Sequence, residues 1–453
     1  MEKRIEEKRL KSETLESELE KISSKFLEAI SGKDVFIISH FDTDGITSAA
    51  ILIQTLKKMD KRFSLKIVPR LEEEIILDIP KDKVIVFLDL ASGSLDYLSK
   101  MGLENVFIID HHQVFQSIPE KLNIINPQLN GKEEISSSSL TYLFCKHLSE
   151  DTKELAKLAI LGMIGDSMEK SIDKLNNLII NDGEVRRKRG LLIYPSTRPL
   201  NRTLEYCSDP YIPGITGNPQ GITQLLRETG LNPVNSGKYK SLIELNEEEM
   251  SRLVTSIILK NPKVKNREII GDIFLIKFFN KLEDARELSA IINACSRLGE
   301  SETAVQFCME SAKAKKRAEL MHAKYKQFII SGLKFVSESE KIEGNGFVII
   351  NAKDKIKDTI IGTIASILSN SSIYEDGTVI TAMAYYEDKI KVSARSVGKN
   401  GRNLREVLSS IIEKTGGDVG GHESAAGCML KKEKEKEFLD SLKKSLEIEL
   451  VKI

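Results

Sequence analysis

The sequence predicts an α/β protein. It has a parallel-sheet N-terminal domain, an inserted or connecting module that ends in a long helix, and a smaller C-terminal α/β domain. Three observations predict this. Short runs that are apolar throughout (Val35-Phe36-Ile37-Ile38, Val84-Ile85-Val86-Phe87-Leu88, Val106-Phe107-Ile108-Ile109) alternate with helical stretches, the pattern of parallel strands covered on both faces. Acidic and imidazole residues follow these runs, at the edge where open parallel sheets bind ligands. Prolines at 195, 199, 210, 213, 219 and 233 then break the pattern, and a second α/β alternation begins near residue 347.

Taken in order, residues 1–30 read as an amphipathic helix, because Leu15, Leu19, Ile22, Phe26 and Ile30 recur at helical spacing. Such a helix packs on its own domain or pairs in a coiled coil. The N-terminal domain, 31–188, is expected to hold strands at 35–38, 65–68, 84–88 and 106–109, with helices at 45–58, 136–149 and 152–164. The proline-broken module covers 189–290. A connector, 291–332, contains one long helix at 302–330, dense in Lys and Ala. The last domain, 333–453, is expected to place strands at 347–350, 378–385 and 390–394 and helices at 359–369, 402–413 and 432–449.

The chain has 453 residues, enough for two or three domains. Lys plus Arg and Asp plus Glu both number 67. This balance argues against an unstructured basic arm and leaves room for a local basic groove. The sequence has no apolar run long enough to span a bilayer, and the charged start Met1-Glu2-Lys3-Arg4 is unlike a signal peptide, so a cytoplasmic location without membrane contact is expected. The five cysteines are scattered and odd in number. That fits reduced thiols better than a zinc site or a disulfide framework.

The chemistry is concentrated in four segments. His40-Phe41-Asp42-Thr43-Asp44-Gly45 follows the first strand, and alternation in an extended loop turns His40, Asp42 and Asp44 to one side. Gly45 lets the chain turn into the next helix. Asp89 follows the 84–88 strand, Asp110-His111-His112 follows the 106–109 strand, and Gly162-Met163-Ile164-Gly165-Asp166 closes an apolar helix. Asp89 alone reads as a cap or turn residue. Together, acids and imidazoles in this order suit a pair of divalent cations, because clustered carboxylates repel unless a cation lies between them. The mixed donor set favours manganese over calcium.

These motifs resemble those of the DHH phosphoesterase superfamily. The C-terminal part is similar to the DHH-associated domain, through Gly416-Gly417-Asp418-Val419-Gly420-Gly421-His422-Glu423-Ser424-Ala425-Ala426-Gly427, Val392-Ser393-Ala394-Arg395-Ser396 and Ile292-Asn293-Ala294-Cys295-Ser296-Arg297-Leu298-Gly299. The stretch from Arg198-Pro199-Leu200 through Asp209-Pro210-Tyr211-Ile212-Pro213-Gly214 resembles the archaeal branch of RecJ-like single-strand exonucleases. The resemblance implies that His40, Asp42, Asp44, Asp89, His111 and Asp166 are metal ligands for two Mn2+ ions, with Mg2+ or Co2+ as substitutes. It implies that Asp110 orients a ligand imidazole and that His112 faces the scissile phosphate, making Asp110, His111 and His112 the catalytic group. Substrate binding is implied for Ser393, Arg395, Gly420, Gly421, His422, Asn293 and Arg297. Lys391, Lys399, Arg402 and Arg405 form one candidate basic strip, and Lys313, Lys315, Lys316 and Arg317 another, which reads equally well as a solvated helix face.

The implied activity is a two-metal exonuclease on single-stranded DNA or RNA, in DNA replication or repair. One alternative is a phosphodiesterase for short oligonucleotides or cyclic dinucleotides. Another is a replication-fork scaffold that binds the GINS complex, with or without nuclease activity. A tRNA-editing hydrolase explains the C-terminal motifs alone.

Overall fold

The computed structural model describes residues 15–447, apart from 115, 132–134, 171, 208–211, 213, 232–233, 236–237, 261–268, 372 and 399–400. The early part of the expected first helix, part of the 198–214 stretch, Pro233, Lys399 and the end of the closing helix therefore lie outside the described residues. The described chain begins with α1 (Leu15–Ala29), β1 (Val35–His40), α2 (Thr43–Lys58), β2 (Phe63–Val68), α3 (Glu73–Leu77), β3 (Val84–Leu88), α4 (Leu95–Lys100), β4 (Val106–Ile109) and β5 (Leu122–Ile125). These five strands form one all-parallel sheet in the order β2-β1-β3-β4-β5. The order reverses direction between β1 and β3, which opens a crevice at their carboxyl ends.

Alternation along each strand feeds two cores. Val35, Ile37, Val84, Val86, Leu88, Phe107 and Ile109 face one of them. Ile38, Ile85, Phe87, Val106 and Ile108 face the other. The first core is closed by α1, α2, α5 (Ser137–Leu148) and α6 (Ala156–Gly165). Leu15, Leu19, Ile22, Phe26 and Ile30 of the first helix are all buried there. Phe26 meets Phe107 and Phe144 edge-on, with centroids at 5.1 and 5.3 Å, so the apolar face of α1 is used by its own domain.

The chain continues through α7 (Lys174–Asp182), β6 (Arg186–Leu191), α8 (Leu200–Glu205), α9 (Pro219–Glu228), β7 (Val234–Asn235), β8 (Lys238–Tyr239) and α10 (Glu247–Lys260). It then forms β9 (Ile270–Phe278), β10 (Lys281–Asp284), α11 (Ala285–Arg297), α12 (Ser301–Cys308) and α13 (Ala312–Glu338). The single helix expected over 302–330 is thus two helices. Glu310 between them takes a left-handed φ of 56°; its carboxylate accepts the Phe279 N–H at 2.6 Å and pairs with Lys157. That tertiary anchor leaves no trace in helical periodicity.

The C-terminal part comprises β11 (Ile342–Gly344), β12 (Phe347–Asn351), α14 (Asp358–Ser369), β13 (Val379–Tyr386), β14 (Lys389–Ser396), α15 (Leu404–Thr415), β15 (Asp418–Gly421), β16 (Ala425–Lys431) and α16 (Glu435–Glu447). Its strands form a mixed sheet, β11-β12-β13-β14-β16-β15. The glycine-rich hairpin β15–β16 has few of the β-branched residues that mark strands, which is why no strand was expected there.

The chain divides into two compact units, Met1–Gly190 with Gly271–His322, and Leu191–Ile270 with Ala323–Ile453. Among the described residues no helix is long and apolar enough to cross a membrane.

Candidate metal centre

The first unit gathers the four acidic segments at the carboxyl end of its sheet. The register aligns Ser39 with Leu88 and Leu88 with Ile109, so His40, Asp89 and Asp110 leave their strands side by side. The loop after β1 is shorter than the sequence suggested. Asp42 is already the N-cap of α2, accepting the Gly45 N–H at 3.0 Å, and Asp44 lies in the first helical turn. His40, Asp42 and Asp44 converge because a strand end meets a helix start, rather than by alternation in an extended loop. Gly45 lies inside α2 rather than at the turn into it. A Cβ there would collide with the His40 carbonyl, so glycine permits the close approach of helix to strand.

The distances describe one cluster. His40 Nδ1 lies 3.0 Å from Asp42 Oδ2 and 3.1 Å from Asp89 Oδ2. His111 Nε2 lies 3.5 Å from Asp89 Oδ1 and 3.4 Å from Asp166 Oδ2. Among the described residues three sets of donors each bring ligand atoms within 4.8 Å of one another: His40, Asp42 and Asp89; Asp44, His111 and Asp166; and Asp89, His111 and His112. Asp89 is buried and holds a left-handed φ of 58°, a strained conformation of the kind that concentrates at functional sites.

Asp110 sits behind the cluster. Its Oδ1 accepts the backbone N–H of His111 at 2.9 Å and bonds His112 Nδ1 at 2.7 Å; its Oδ2 accepts the Ser92 N–H at 2.9 Å. The imidazole it orients is therefore that of His112.

Burial and mutual repulsion govern the protonation of the cluster. Burial, with the charges of Asp89 and Asp42, raises Asp44 to about 6, against a smaller opposing effect of His111. Burial, with Asp44, Asp42 and Asp89, pushes Asp166 well above the usual carboxylate range. Burial alone would lower His40, yet Asp42 and Asp89 together outweigh it and raise His40 to about 11. His111 is likewise raised to about 10, by Asp89, Asp44 and Asp166 against burial. His40 holds Asp42 below the usual range despite burial. The imidazoles thus supply the positive charge that cations would bring.

The donor set fits divalent ions on a further observation. Asp166 Oδ2 is buried and makes no hydrogen bond, its ion-pair contact with His111 Nε2 at 3.4 Å leaving it short of full satisfaction.

Several residues that complete the site escaped the sequence reading. The N-terminus of α5 donates both Ser137 N–H (2.7 Å) and Ser138 N–H (3.0 Å) to the Asp44 carboxylate, and Ser137 Oγ donates to Asp89 Oδ1 at 3.0 Å. A Cβ on Gly162 would collide with Ser138 Oγ and Asp44 Oδ1, so glycine in α6 makes room for this contact. Ser136 caps α5; a serine run ahead of an apolar helix is a readable capping signal, although its alignment with two carboxylates is not. Glu169, three residues past Asp166, pairs with Arg286 of α11 at 3.1 Å in a largely buried contact.

Asn293 and Arg297 lie on α11, in the same unit as the cluster, with Arg297 Nε 3.4 Å from Asn293 Oδ1. The remaining candidate substrate residues lie in the second unit, where the ladder places Ser393 opposite Gly427 and Gly427 opposite Gly420. Arg395 is opposite Ala425, whose carbonyl accepts the His422 N–H at 2.8 Å. The fold therefore brings Ser393, Arg395, Gly420 and His422 together on that sheet. Arg395 also donates inside the protein, to Ser366 Oγ at 3.0 Å and to the Ala394 carbonyl at 2.8 Å. Gly421 is needed for its φ of 113°, whereas a Cβ on Gly420 would meet open space. Of the candidate basic strip, Arg402 caps the C-terminal end of α16 through the Ser445 and Leu446 carbonyls, and Lys391 lies 4.0 Å from Asp358. Arg402 is thus a structural residue, because helix-end carbonyls need donors.

Comparison with known proteins agrees with this architecture. Residues 34–163 match the DHH family N-terminal domain, 193–267 the DHH-CID domain and 345–447 the DHHA1 domain. An uncharacterized protein of Methanocaldococcus jannaschii is 29% identical over 93% of this chain and 96% of its own. The single-stranded-DNA-specific exonuclease RecJ of Bacillus subtilis is 24% identical over 38% of this chain and 24% of its own. Exonuclease RecJ bound to manganese has a similar fold (TM-score 0.61, 17% identity, 95% of each chain). So does CDC45 from Entamoeba histolytica (TM-score 0.67, 13% identity, 93% of this chain and 99% of that one).

Proposed function

The chain carries a DHH-family N-terminal domain, a DHH-CID domain and a DHHA1 domain, and from that premise we propose a divalent-metal-dependent exonuclease that hydrolyses phosphodiester bonds of single-stranded DNA or RNA. The observation that carries the reading is the adjacency of two donor sets, His40, Asp42 and Asp89 for one ion and Asp44, His111 and Asp166 for a second, linked by a third set that shares Asp89 with the first and His111 with the second. Asp89 lies within reach of His40 on one side and His111 on the other, which suits a carboxylate shared by two ions. Manganese is the expected metal, with magnesium or cobalt as substitutes, because the set mixes imidazole and carboxylate. Such a pair, when bound, neutralises phosphoryl oxygens and lowers the pKa of water.

The protein's own groups do the rest. The hydrogen bond with Asp110 raises His112 above its ordinary value, which favours its protonated form. With Nδ1 held by Asp110, its Nε2 is left to donate to the leaving oxygen. The Asn293–Arg297 pair offers a cation to phosphate, and the sheet bearing Ser393, Arg395, Gly420, Gly421 and His422 serves substrate selection. Replication or repair is the expected setting, in a cytoplasmic protein.

Incubation with manganese and end-labelled DNA and RNA single strands of graded length tests the reading. Stepwise release of nucleotides from long strands, abolished by Asp89→Ala, is expected. Degradation of dimers to pentamers alone would replace it with the short-oligonucleotide reading. The fold shared with CDC45 favours a second, compatible role in a replication assembly, which co-purification with GINS would detect.

A further inference from the structure

Phe41 lies between two candidate ligands, His40 and Asp42, and neither core explains it. It is half-buried and belongs to neither hydrophobic cluster flanking the sheet. Its ring meets the His40 imidazole edge-on, with centroids at 5.1 Å and planes at 82°. The Arg297 guanidinium lies over the ring, 5.0 Å from its centroid. Arg297 is itself half-buried, bonded only to Asn293 within its own helix, and has no carboxylate partner among the described residues. A cation in the last turn of α11 suits the helix dipole, but that does not account for a partly wet aromatic ring among carboxylates.

We propose that the Phe41–Arg297 pair is a stacking platform for the nucleobase of the terminal nucleotide. This rests on the phosphodiesterase reading for the identity of the substrate. An aromatic face accepts any base, and a guanidinium beside it adds a cation–π surface and a charge near the following phosphate. The platform adjoins the ligands that would hold the scissile phosphate, so it engages the base next to the bond being cut and makes Phe41 a positioning residue for the strand end.

The test compares the wild-type protein with Phe41→Ala and Phe41→Trp. Binding of a fluorescein-labelled oligothymidylate is measured by anisotropy in calcium, beside strands with an abasic residue at either end. Thermal shift in manganese is recorded for each protein. The wild type is expected to prefer the base-bearing terminus by about tenfold at one end, Phe41→Ala to bind both strands alike, and Phe41→Trp to restore the preference. All three should show the same manganese-induced shift. The proposal is overturned if Phe41→Ala discriminates as the wild type does. It is also overturned if that variant loses the manganese response, since the ring would then only support the metal loop. A wild type that discriminates yet cleaves no strand supports the platform and sinks the nuclease reading; one that binds no strand sinks both.

Discussion

Replacing Asp44 by Asn should make the metal-free protein more stable and its manganese complex less so. Asp44 is fully buried, and its carboxyl is raised from an ordinary 3.8 to about 6 by burial and by Asp89 and Asp42. At about 1.4 kcal/mol per tenfold, holding it ionised above pH 6 costs the folded state about 3 kcal/mol. The sign follows from the upward shift: the cost is absent below pH 4, grows towards pH 6 and is constant above. Asn removes the charge but turns an amide NH2 towards one of the two N–H groups of α5 that Asp44 accepts, at a cost of about 1–2 kcal/mol. The net gain in EDTA at pH 8 is about 1–2 kcal/mol, a rise of a few degrees in melting temperature. With manganese at a hundredfold excess over its Kd, the wild type gains about 2.7 kcal/mol per ion, and the variant, short of a ligand, gains little. Differential scanning fluorimetry in EDTA and in manganese should therefore show the order of melting temperatures reversing. At pH 5, where about half of the cost remains, the variant's advantage in EDTA should vanish. A variant less stable than the wild type in EDTA at pH 8, or one answering manganese as the wild type does, would refute the reasoning.

Three further outcomes are expected. Ser137→Ala removes the hydroxyl that donates to Asp89 and should weaken manganese binding by about tenfold in calorimetry, with Ser137→Thr restoring it; equal affinities would show that the hydroxyl has no part in metal binding. Asp110→Asn weakens the hold on His112 Nδ1 and should lower kcat on single strands by about a hundredfold with unchanged metal content, the alkaline limb of the pH profile moving to lower pH. Because His40 and His111 are raised to about 11 and 10 and must be neutral to ligate, manganese binding at pH 7 should release protons. Calorimetry in buffers of different ionisation heat reads this directly, and a buffer-independent heat would contradict it.

Local pattern is enough to establish the elements around the site. Strands apolar on both faces and the carboxylates at strand ends are set by side-chain periodicity and turn chemistry, which act over a few residues. The donor residues themselves are readable because acids and imidazoles so placed have no separate stabilising use. Which of them meet is decided elsewhere. The β2-β1-β3-β4-β5 order puts β1 beside β3 and β3 beside β4, and only that adjacency brings His40 to Asp89 and Asp89 to His111. The serines at the head of α5, the gap left by Gly162, the break at Glu310 and the Arg297 guanidinium over Phe41 depend on contacts between segments distant in the chain. Those contacts arise from packing of whole elements, and no short stretch of sequence encodes them.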